Sequence, residues 1–217
     1  MNTIGLTIDG KVIKSRQGQT VLWAALDNGI YIPNLCAIRE ASGPWAGCRL
    51  CFVEIEGRND PVTACTEIVE EAMVVNTGTP AARRLARTSL ELLLASHPVN
   101  CAKCSANRVC DLQKIAAFLG VKLNTKRFRK ILRDLPVDDS SPFLTYDPNK
   151  CVLCGKCVWV CRHRLGIGVL GFARRGFDRL VTTFESRPLG ESDCRTCGDC
   201  AAACPVGAFT FKGQGAG

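Results

Sequence analysis

The chain has 217 residues and a formal charge of +8, with 47% hydrophobic and 22% charged residues, an ordinary composition for a globular protein. No run of about 18 apolar residues predicts a membrane span, and the N-terminus lacks the basic and apolar regions of a secretory signal. We therefore expect a cytoplasmic protein. Its fifteen cysteines then argue against a disulfide framework, because disulfides are rare in that compartment and the count is odd.

The first segment, residues 1–78, predicts a small α+β domain. Two short alternating runs are joined by Asp9-Gly10, a pattern typical of a β-hairpin. Thr20 is a candidate cap for a helix that ends before Gly29. Three further runs have the character of strands: Cys51–Ile55, Pro61–Ala64 and Ala72–Val75.

This segment contains a first set of four cysteines: Cys36, Cys48, Cys51 and Cys65. The eleven residues between the first two exceed the gap in the plant-type 2Fe–2S spacing, C-x4-C-x2-C. A C-x2-C pair followed by a strand still fits such a site. Four thiolates also suit structural zinc, so the residues alone leave the two metals open.

The middle segment, residues 79–145, predicts helices. Thr79-Pro80 opens one that ends at His97, and a second starts near Asn107 and ends at Gly120. The segment also carries a set with only three cysteines, His97-x3-Cys101-x2-Cys104-x5-Cys110. A histidine before a proline is usually a helix-end residue. A cluster needs four ligands, however, and this histidine is the candidate for the fourth.

The last segment, residues 146–217, contains an internal repeat. The run Cys151-x2-Cys154-x2-Cys157-x3-Cys161 recurs as Cys194-x2-Cys197-x2-Cys200-x3-Cys204. In two-cluster ferredoxins the fourth cysteine of each run binds the other cluster. The repeat therefore predicts two 4Fe–4S sites with crossed ligands, one of Cys151, Cys154, Cys157 and Cys204 and one of Cys161, Cys194, Cys197 and Cys200. Pro205 follows the motif, whereas Arg162 departs from it.

Two other patterns suggest different functions. Gly166–Gly171 satisfies G-x-G-x-x-G, but a dinucleotide site needs a strand before it and a helix after it, and here a cluster loop precedes. The basic run Lys126–Lys130 predicts an exposed helix face or a docking patch. Because no aromatic stacking platform accompanies it, we do not expect nucleic-acid binding.

The four sets, in this order, resemble the N-terminal part of the complex I large subunit and of multi-cluster iron-only hydrogenases, over about residues 1 to 212. The resemblance implies a β-grasp 2Fe–2S domain and a helical domain with a histidine-ligated 4Fe–4S cluster, ahead of the two-cluster ferredoxin-like domain. It implies 2Fe–2S ligands Cys36, Cys48, Cys51 and Cys65, and 4Fe–4S ligands His97, Cys101, Cys104 and Cys110. One 2Fe–2S and three 4Fe–4S clusters then use all fifteen cysteines.

The sequence contains no phosphate loop and no Ser-His-Asp set, so it predicts no substrate site of its own. Thirteen residues follow Cys204 in the sequence, so we expect the chain to lack the catalytic domain found in iron-only hydrogenases. The resemblance therefore implies an electron-transfer subunit of an NAD(P)-linked oxidoreductase. Its expected partners are a flavin-containing NAD(P)H-oxidising subunit, a catalytic subunit of hydrogenase or formate dehydrogenase type and, in complexes that bifurcate electrons, ferredoxin. A free-standing polyferredoxin is the alternative; an iron–sulfur or zinc regulator is disfavoured by four complete sets.

Overall fold

The computed structural model describes residues 2–164 and 166–213, which form two compact units. The first unit takes the described residues up to Leu90 together with Leu119–Val121. The second takes Glu91–Phe118 and the described residues from Lys122 onward. The domain boundaries at residues 79 and 146 stay predictions.

The first unit is built on a five-stranded sheet with the order β2-β1-β5-β3-β4. The pair β1–β5 is parallel and the other pairs are antiparallel. A short helix, α1 (Val21–Asp27), lies between the second and third strands in the chain. The strands are β1 (Thr3–Ile8), β2 (Lys11–Arg16), β3 (Phe52–Ile55), β4 (Val62–Thr63) and β5 (Val74–Asn76).

The predicted hairpin is confirmed at β1–β2. Ile8 pairs with Lys11, and the two residues between them, Asp9 and Gly10, have φ of 50° and 77°. Two consecutive positive φ angles are the requirement of a type I′ turn, whose twist matches that of the strands it joins. Asp9 also anchors the end of β5, because its carboxylate accepts from the backbone N–H and the hydroxyl of Thr77 at 2.7 and 2.6 Å.

Helix α1 buries Val21, Leu22, Ala24 and Ala25 in the apolar core of this unit, which also contains Cys51 and Cys65. Burial of these side chains stabilises the unit by about 25 cal/mol for each Å² of apolar surface removed from water. The core thus holds two of the predicted ligands in place.

The ends of α1 correct one prediction and confirm another. Thr20 occupies the position before the helix, but its side chain makes no capping hydrogen bond. The carbonyls of Glu67 and Ala64 instead accept from the first helical N–H groups, those of Val21 and Leu22, at 2.8 and 2.9 Å. Gly29, with φ of 73°, follows the helix as predicted.

Two longer helices follow, α2 (Pro80–Ala95) and α3 (Asp111–Leu119). The predicted cap of α2 is confirmed, since Thr79 Oγ1 accepts from the N–H of Ala82 at 3.2 Å. The prediction that α3 starts near Asn107 is wrong by about one turn. Arg108 has φ of 68°, which is incompatible with a helix, and its N–H donates to the side chain of Gln113 at 2.8 Å.

The basic run Lys126–Lys130 is not a helix, which corrects the prediction of a helix face. It lies along the end of α2 instead. The guanidinium of Arg127 pairs with Glu91 at 2.7 Å, and Lys130 Nζ donates to the carbonyl of Leu94 at 2.8 Å. The last carbonyls of a helix lack partners and carry partial negative charge, so they attract such cations.

The second unit packs two short helices against each other, α4 (Lys156–His163) and α5 (Asp199–Ala203). Two antiparallel ribbons accompany them. The ribbons pair β6 (Leu144–Tyr146) with β9 (Phe209–Phe211), and β7 (Gly171–Ala173) with β8 (Leu180–Thr182). The glycine motif Gly166–Gly171 thus runs from a helix into a strand, the reverse of the order that a dinucleotide fingerprint requires.

Within the described ranges, no helix combines the length and the apolar character needed to cross a bilayer.

Candidate metal centres

All fifteen cysteines are free thiols, and most of them are buried. Cys197 is the exposed one. Free Cys behaves as a small hydrophobe when scattered in a core, but here the thiols gather in groups. Grouping of this kind is what a set of metal ligands requires.

The first group lies in the first unit, where Cys36 and Cys48 approach each other with their sulfurs 3.5 Å apart. Because the Cys36 thiol donates to Cys48, the pKa of Cys48 falls to about 6 and that of Cys36 rises. Cys51 and Cys65 form a second such pair, in which the hydrogen bond lowers the pKa of Cys65 and raises that of Cys51. Cys48 also acts electrostatically on both members of that pair. The structure therefore brings all four predicted cysteines together.

The second group joins Cys101, Cys104 and Cys110. Cys101 and Cys104 lie at the ends of a single helical turn before α3, and Cys110 directly precedes that helix. Burial raises the pKa of Cys110, and the charges of Cys104 and Cys101 add to the rise. The three thiols are thus close enough to interact.

His97 follows the end of α2, and its ring is oriented by one hydrogen bond. Nδ1 lies 3.1 Å from the carbonyl oxygen of Lys150, and burial lowers the pKa of the ring. A neutral ring facing a carbonyl carries its hydrogen on Nδ1, which leaves the lone pair of Nε2 free. Metal-binding histidines have this arrangement, because the carbonyl bonded to the other nitrogen fixes the tautomer and the ring orientation. The orientation of the His97 ring is thus compatible with the predicted ligand role, which stays a prediction.

The last two groups cross between the repeated motifs. Burial raises the pKa of Cys154 to about 12, and the charges of Cys204 and Cys151 contribute. Cys204 acts in the same way on Cys151 and Cys157. The structure therefore brings the last cysteine of the second run to the triplet of the first.

The reciprocal group forms around Cys200. Burial is the main cause that raises the pKa of Cys200 to about 12. The charges of Cys194, Cys197 and Cys161 raise it further. These four cysteines line one small apolar cavity together with Ile167, Val169 and Leu170. The last cysteine of the first run is thus brought to the triplet of the second.

Helices α4 and α5 explain the crossing. Cys157 and Cys161 are four residues apart on α4, a rise of about 6 Å or one turn. Cys200 lies on α5 and Cys204 directly follows that helix, with the same spacing. The first cysteine of each pair stays with its own triplet, whereas the second reaches the other one. Each of these two helical segments therefore supplies a cysteine to both groups, and the two cysteines lie about one turn apart along it.

The loops suit anionic iron–sulfur clusters. Leu153 and Gly155 have left-handed φ of 55° and 79°, and the equivalent Thr196 and Gly198 have 52° and 84°. Such alternation turns successive N–H groups into concavities that bind anions, Fe–S sites among them. The N–H of the residue two positions after a cysteine points to its sulfur at four places: Leu50, Leu112, Leu153 and Lys156.

The types of donor atom in these groups also suit iron–sulfur clusters, which are held by sets of thiolates, with histidine replacing cysteine at some sites. Thiols must lose their protons to bind metal, so the raised pKa values of the buried cysteines belong to the metal-free thiols. Among residues 2–164 and 166–213, no three His, Cys, Asp or Glu side chains converge on a single ion. Cluster ligands bind separate irons and need no such convergence.

One prediction concerns Gly198. A Cβ at this position would meet the ring of Phe211 at 2.6 Å, and its φ is 84°. We expect Gly198→Ala to destabilise the protein by more than the roughly 1–2 kcal/mol that a left-handed residue costs by itself. Gly176→Ala is the matched control, because its φ is 57° and no atom lies within 4 Å of the added carbon. The denaturant midpoint under anaerobic conditions, followed by cluster absorbance, measures both, and equal midpoints would contradict the clash.

Arg133 contacts the backbone of a predicted ligand, Cys151, although no motif in the sequence marks it. Its Nη2 donates to the carbonyl of Cys151 at 2.8 Å, and Nη1 lies 3.5 Å from the carbonyl of Arg179. The cation also opposes the rise in the pKa of Cys151. An arginine in an irregular segment has no local pattern that indicates such a contact.

Three family models match the chain. Residues 1–80 match a 2Fe-2S iron-sulfur cluster binding domain. Residues 87–124 match the NADH-ubiquinone oxidoreductase-G iron-sulfur binding region, and residues 141–210 match the ferredoxin-like domain of NADH-quinone oxidoreductase subunit 3. The order of the matches agrees with the predicted order of one 2Fe–2S domain, a 4Fe–4S region and a ferredoxin-like domain.

Two curated relatives align with almost the whole chain. The NADPH-Fe(3+) oxidoreductase subunit alpha of Geobacter sulfurreducens is 37% identical over 97% of this chain and 25% of its own length. The mitochondrial NADH-ubiquinone oxidoreductase 78 kDa subunit of Neurospora crassa is 32% identical over 96% of this chain and 28% of its own length. The chain thus spans about a quarter of these relatives.

A solved structure matches over nearly its full length. A chain in the crystal structure of an NAD+-reducing [NiFe]-hydrogenase in the H2-reduced state superimposes with a TM-score of 0.88 and 34% sequence identity. The alignment covers 98% of this chain and 88% of that one. The protein therefore belongs to the iron–sulfur family that comprises the N-terminal part of the NADH-ubiquinone oxidoreductase 78 kDa subunit and its counterpart in NAD+-reducing hydrogenase.

Proposed function

We propose that this chain is an electron-transfer subunit that relays electrons through one 2Fe–2S and three 4Fe–4S clusters. Its donor would be a flavin-containing subunit that oxidises NADH or NADPH, and its acceptor a catalytic subunit of hydrogenase or formate dehydrogenase type. The ligand sets are those predicted from the sequence, with His97 as the sole non-cysteine ligand. The first domain would have the β-grasp fold and the middle one the helical histidine-ligated form.

The crossing of Cys161 and Cys204 is the observation that carries the proposal. A structural zinc site is satisfied by four thiolates from two knuckles and gives no reason for two triplets to exchange their fourth cysteine. Exchange is what the two-cluster ferredoxin motif requires. Each of the segments α4 and α5 then supplies a ligand to both groups, which keeps the groups close to each other and favours rapid electron tunnelling, because tunnelling falls steeply with distance.

When bound, the clusters would supply one-electron carriers. The residues of the chain hold and tune them. The thiolates fix each cluster, the backbone N–H groups of the loops offset negative charge on sulfur, and Arg133 holds the carbonyl of Cys151. Hydrogen bonds to sulfur, net charge and solvent exposure are the factors that set reduction potentials in such sites. The exposure of Cys197 makes its cluster the candidate contact point for a partner.

His97 adds a link between two of the proposed clusters. Its ring is bonded to the carbonyl of Lys150, and Lys150 directly precedes Cys151 in the chain. A ligand of one proposed cubane is therefore joined to a ligand of the next through one hydrogen bond and a short stretch of backbone. This arrangement supports electron exchange between the histidine-ligated cluster and the cluster that Cys151 would bind.

The partners are proposed from what the relatives are called. The names of the Geobacter, Neurospora and hydrogenase proteins each mention a nicotinamide cofactor. The second redox reactant is Fe(3+) in the first name, ubiquinone in the second and H2 for the hydrogenase. A nicotinamide transfers a hydride, whereas iron–sulfur clusters carry single electrons, so a flavin is the group suited to connect the two. Ferredoxin is a further candidate partner if the complex bifurcates electrons. The alternative, a free-standing polyferredoxin, would need no flavoprotein.

Metal and sulfide analysis of the anaerobically purified chain tests the cluster content. We expect about fourteen iron atoms for each chain, the content of one 2Fe–2S and three 4Fe–4S clusters, with matching acid-labile sulfide. EPR after stepwise reduction should resolve one 2Fe–2S signal and several 4Fe–4S signals. Zinc in place of iron, without labile sulfide, would contradict the proposal.

A further inference from the structure

Thr20 presents an unexplained hydroxyl. Among residues 2–164 and 166–213, its Oγ1 is the buried side-chain oxygen or nitrogen that lacks a hydrogen-bond partner. Buried polar groups are nearly always hydrogen-bonded, because leaving one unsatisfied costs its full desolvation. We therefore expect the buried hydroxyl of Thr20 to have a hydrogen-bond partner that is not a protein atom.

Capping of helix α1 does not explain this hydroxyl. A threonine before a helix ordinarily accepts from a free N–H group of the first turn, but Thr20 makes no such bond. The N–H groups of Val21 and Leu22 already donate to the carbonyls of Glu67 and Ala64. The hydroxyl is thus left free for another role.

The backbone holds Thr20 beside the first group of thiols. Thr20 forms a β-bridge with Ile68. Next to this bridge, the N–H of Val69 donates to the carbonyl of Gln19, the residue before Thr20, at 2.9 Å. These contacts tie the start of α1 to the segment that follows Cys65. Thr20, Cys36 and Cys65 line the same cavity, which has a volume of about 410 Å³.

We propose that the Thr20 hydroxyl donates a hydrogen bond to a sulfur of the 2Fe–2S centre on the side of Cys36 and Cys65, and that it raises the reduction potential of this centre. The inference rests on the proposed function, which supplies the cluster. A hydrogen bond to a charged acceptor is stronger than one to a neutral acceptor. The bond therefore stabilises the reduced centre, whose sulfurs carry more negative charge, more than the oxidised centre. Thr20 is thus a residue that tunes the centre without ligating it.

Thr20→Val tests the proposal, because valine keeps the shape of threonine and removes the hydroxyl. Potentiometric titration of the full-length, cluster-loaded chain, followed by the 2Fe–2S EPR signal, gives the result. At the ambient potential where the unsubstituted centre is half reduced, we expect the ratio of reduced to oxidised centre to fall about tenfold in the variant, which corresponds to ~59 mV for a one-electron couple. Thr20→Ser keeps a donor and should recover most of this shift.

Thr77→Val is the matched control, since it is the same chemical change in the same unit and the Thr77 hydroxyl is bonded to Asp9. It should leave the potential unchanged. If valine disturbs the cluster, Thr20→Ala gives the same comparison without a branched side chain. An intact 2Fe–2S signal with an unshifted potential in Thr20→Val and Thr20→Ala would overturn the inference alone. No 2Fe–2S signal in the unsubstituted chain would instead contradict the proposed function.

Discussion

Cys161→Ser is expected to remove the cluster of Cys194, Cys197 and Cys200, and to leave intact the cluster of the triplet that is nearer in sequence. Cys161 lies with the distant triplet in the structure, and loss of one thiolate ligand exposes that cluster to loss of iron. The iron content of the chain should fall by about four atoms out of about fourteen, the content of one cubane. The single variant does not identify the cluster that is lost, so the test needs double variants.

The double variants use the fact that a cluster can be lost only once. Cys161→Ser combined with Cys197→Ser should lose no more iron than Cys197→Ser alone, because both changes strike one cluster. Cys161→Ser combined with Cys154→Ser should lose two clusters. The reverse pattern would refute the crossed ligand sets. Cys204→Ser is the reciprocal variant, and it should behave as a change in the cluster of Cys154.

His97→Ala is the second change with a large expected effect. It removes the ring that the carbonyl of Lys150 orients, and with it the proposed fourth ligand of the cluster of Cys101, Cys104 and Cys110. We expect EPR to show one 4Fe–4S signal lost or altered while the 2Fe–2S signal is unchanged. Even substitution of a residue that only orients a metal ligand commonly costs about one to two orders of magnitude in metal affinity, so iron release to a chelator should be faster.

His163→Ala is the control for this experiment, since His163 is the other histidine of the chain. It is exposed, stacks on Trp159 with ring centroids 5.0 Å apart and belongs to none of the thiol groups. Its cluster signals should equal those of the unsubstituted protein. A full set of cubane signals in His97→Ala would make His97 a structural residue at the end of α2.

The sequence was sufficient for the features that depend on local spacing. The hairpin at Asp9-Gly10 and the cap at Thr79 are set by neighbouring residues, because turn type and capping are local preferences. The repeated cysteine motif is equally local, and the structure brings its members together as the spacing requires. The family comparison also confirms the resemblance that the four sets indicated.

The sequence failed where a distant segment determines the local structure. Thr20 does not cap α1, and the N–H group of Leu22, which such a cap can serve, donates to the carbonyl of Ala64, more than forty residues away. The basic run Lys126–Lys130 is not helical, because its side chains pair with the end of α2. The role of Arg133 at Cys151 depends on the same kind of long-range contact. None of these contacts has a periodic signal in the sequence.

Transfer of electrons between a flavoprotein and a catalytic subunit is the proposed role of this chain. Anaerobic affinity purification of the chain from its native host tests this role most directly, with the co-purifying subunits identified and EPR recorded after addition of NADH or NADPH. We predict that a flavoprotein and a catalytic subunit purify with the chain, and that the nicotinamide reduces its clusters. A chain that purifies alone, carries its full iron content and stays oxidised with both nicotinamides would contradict this role and favour the free-standing polyferredoxin.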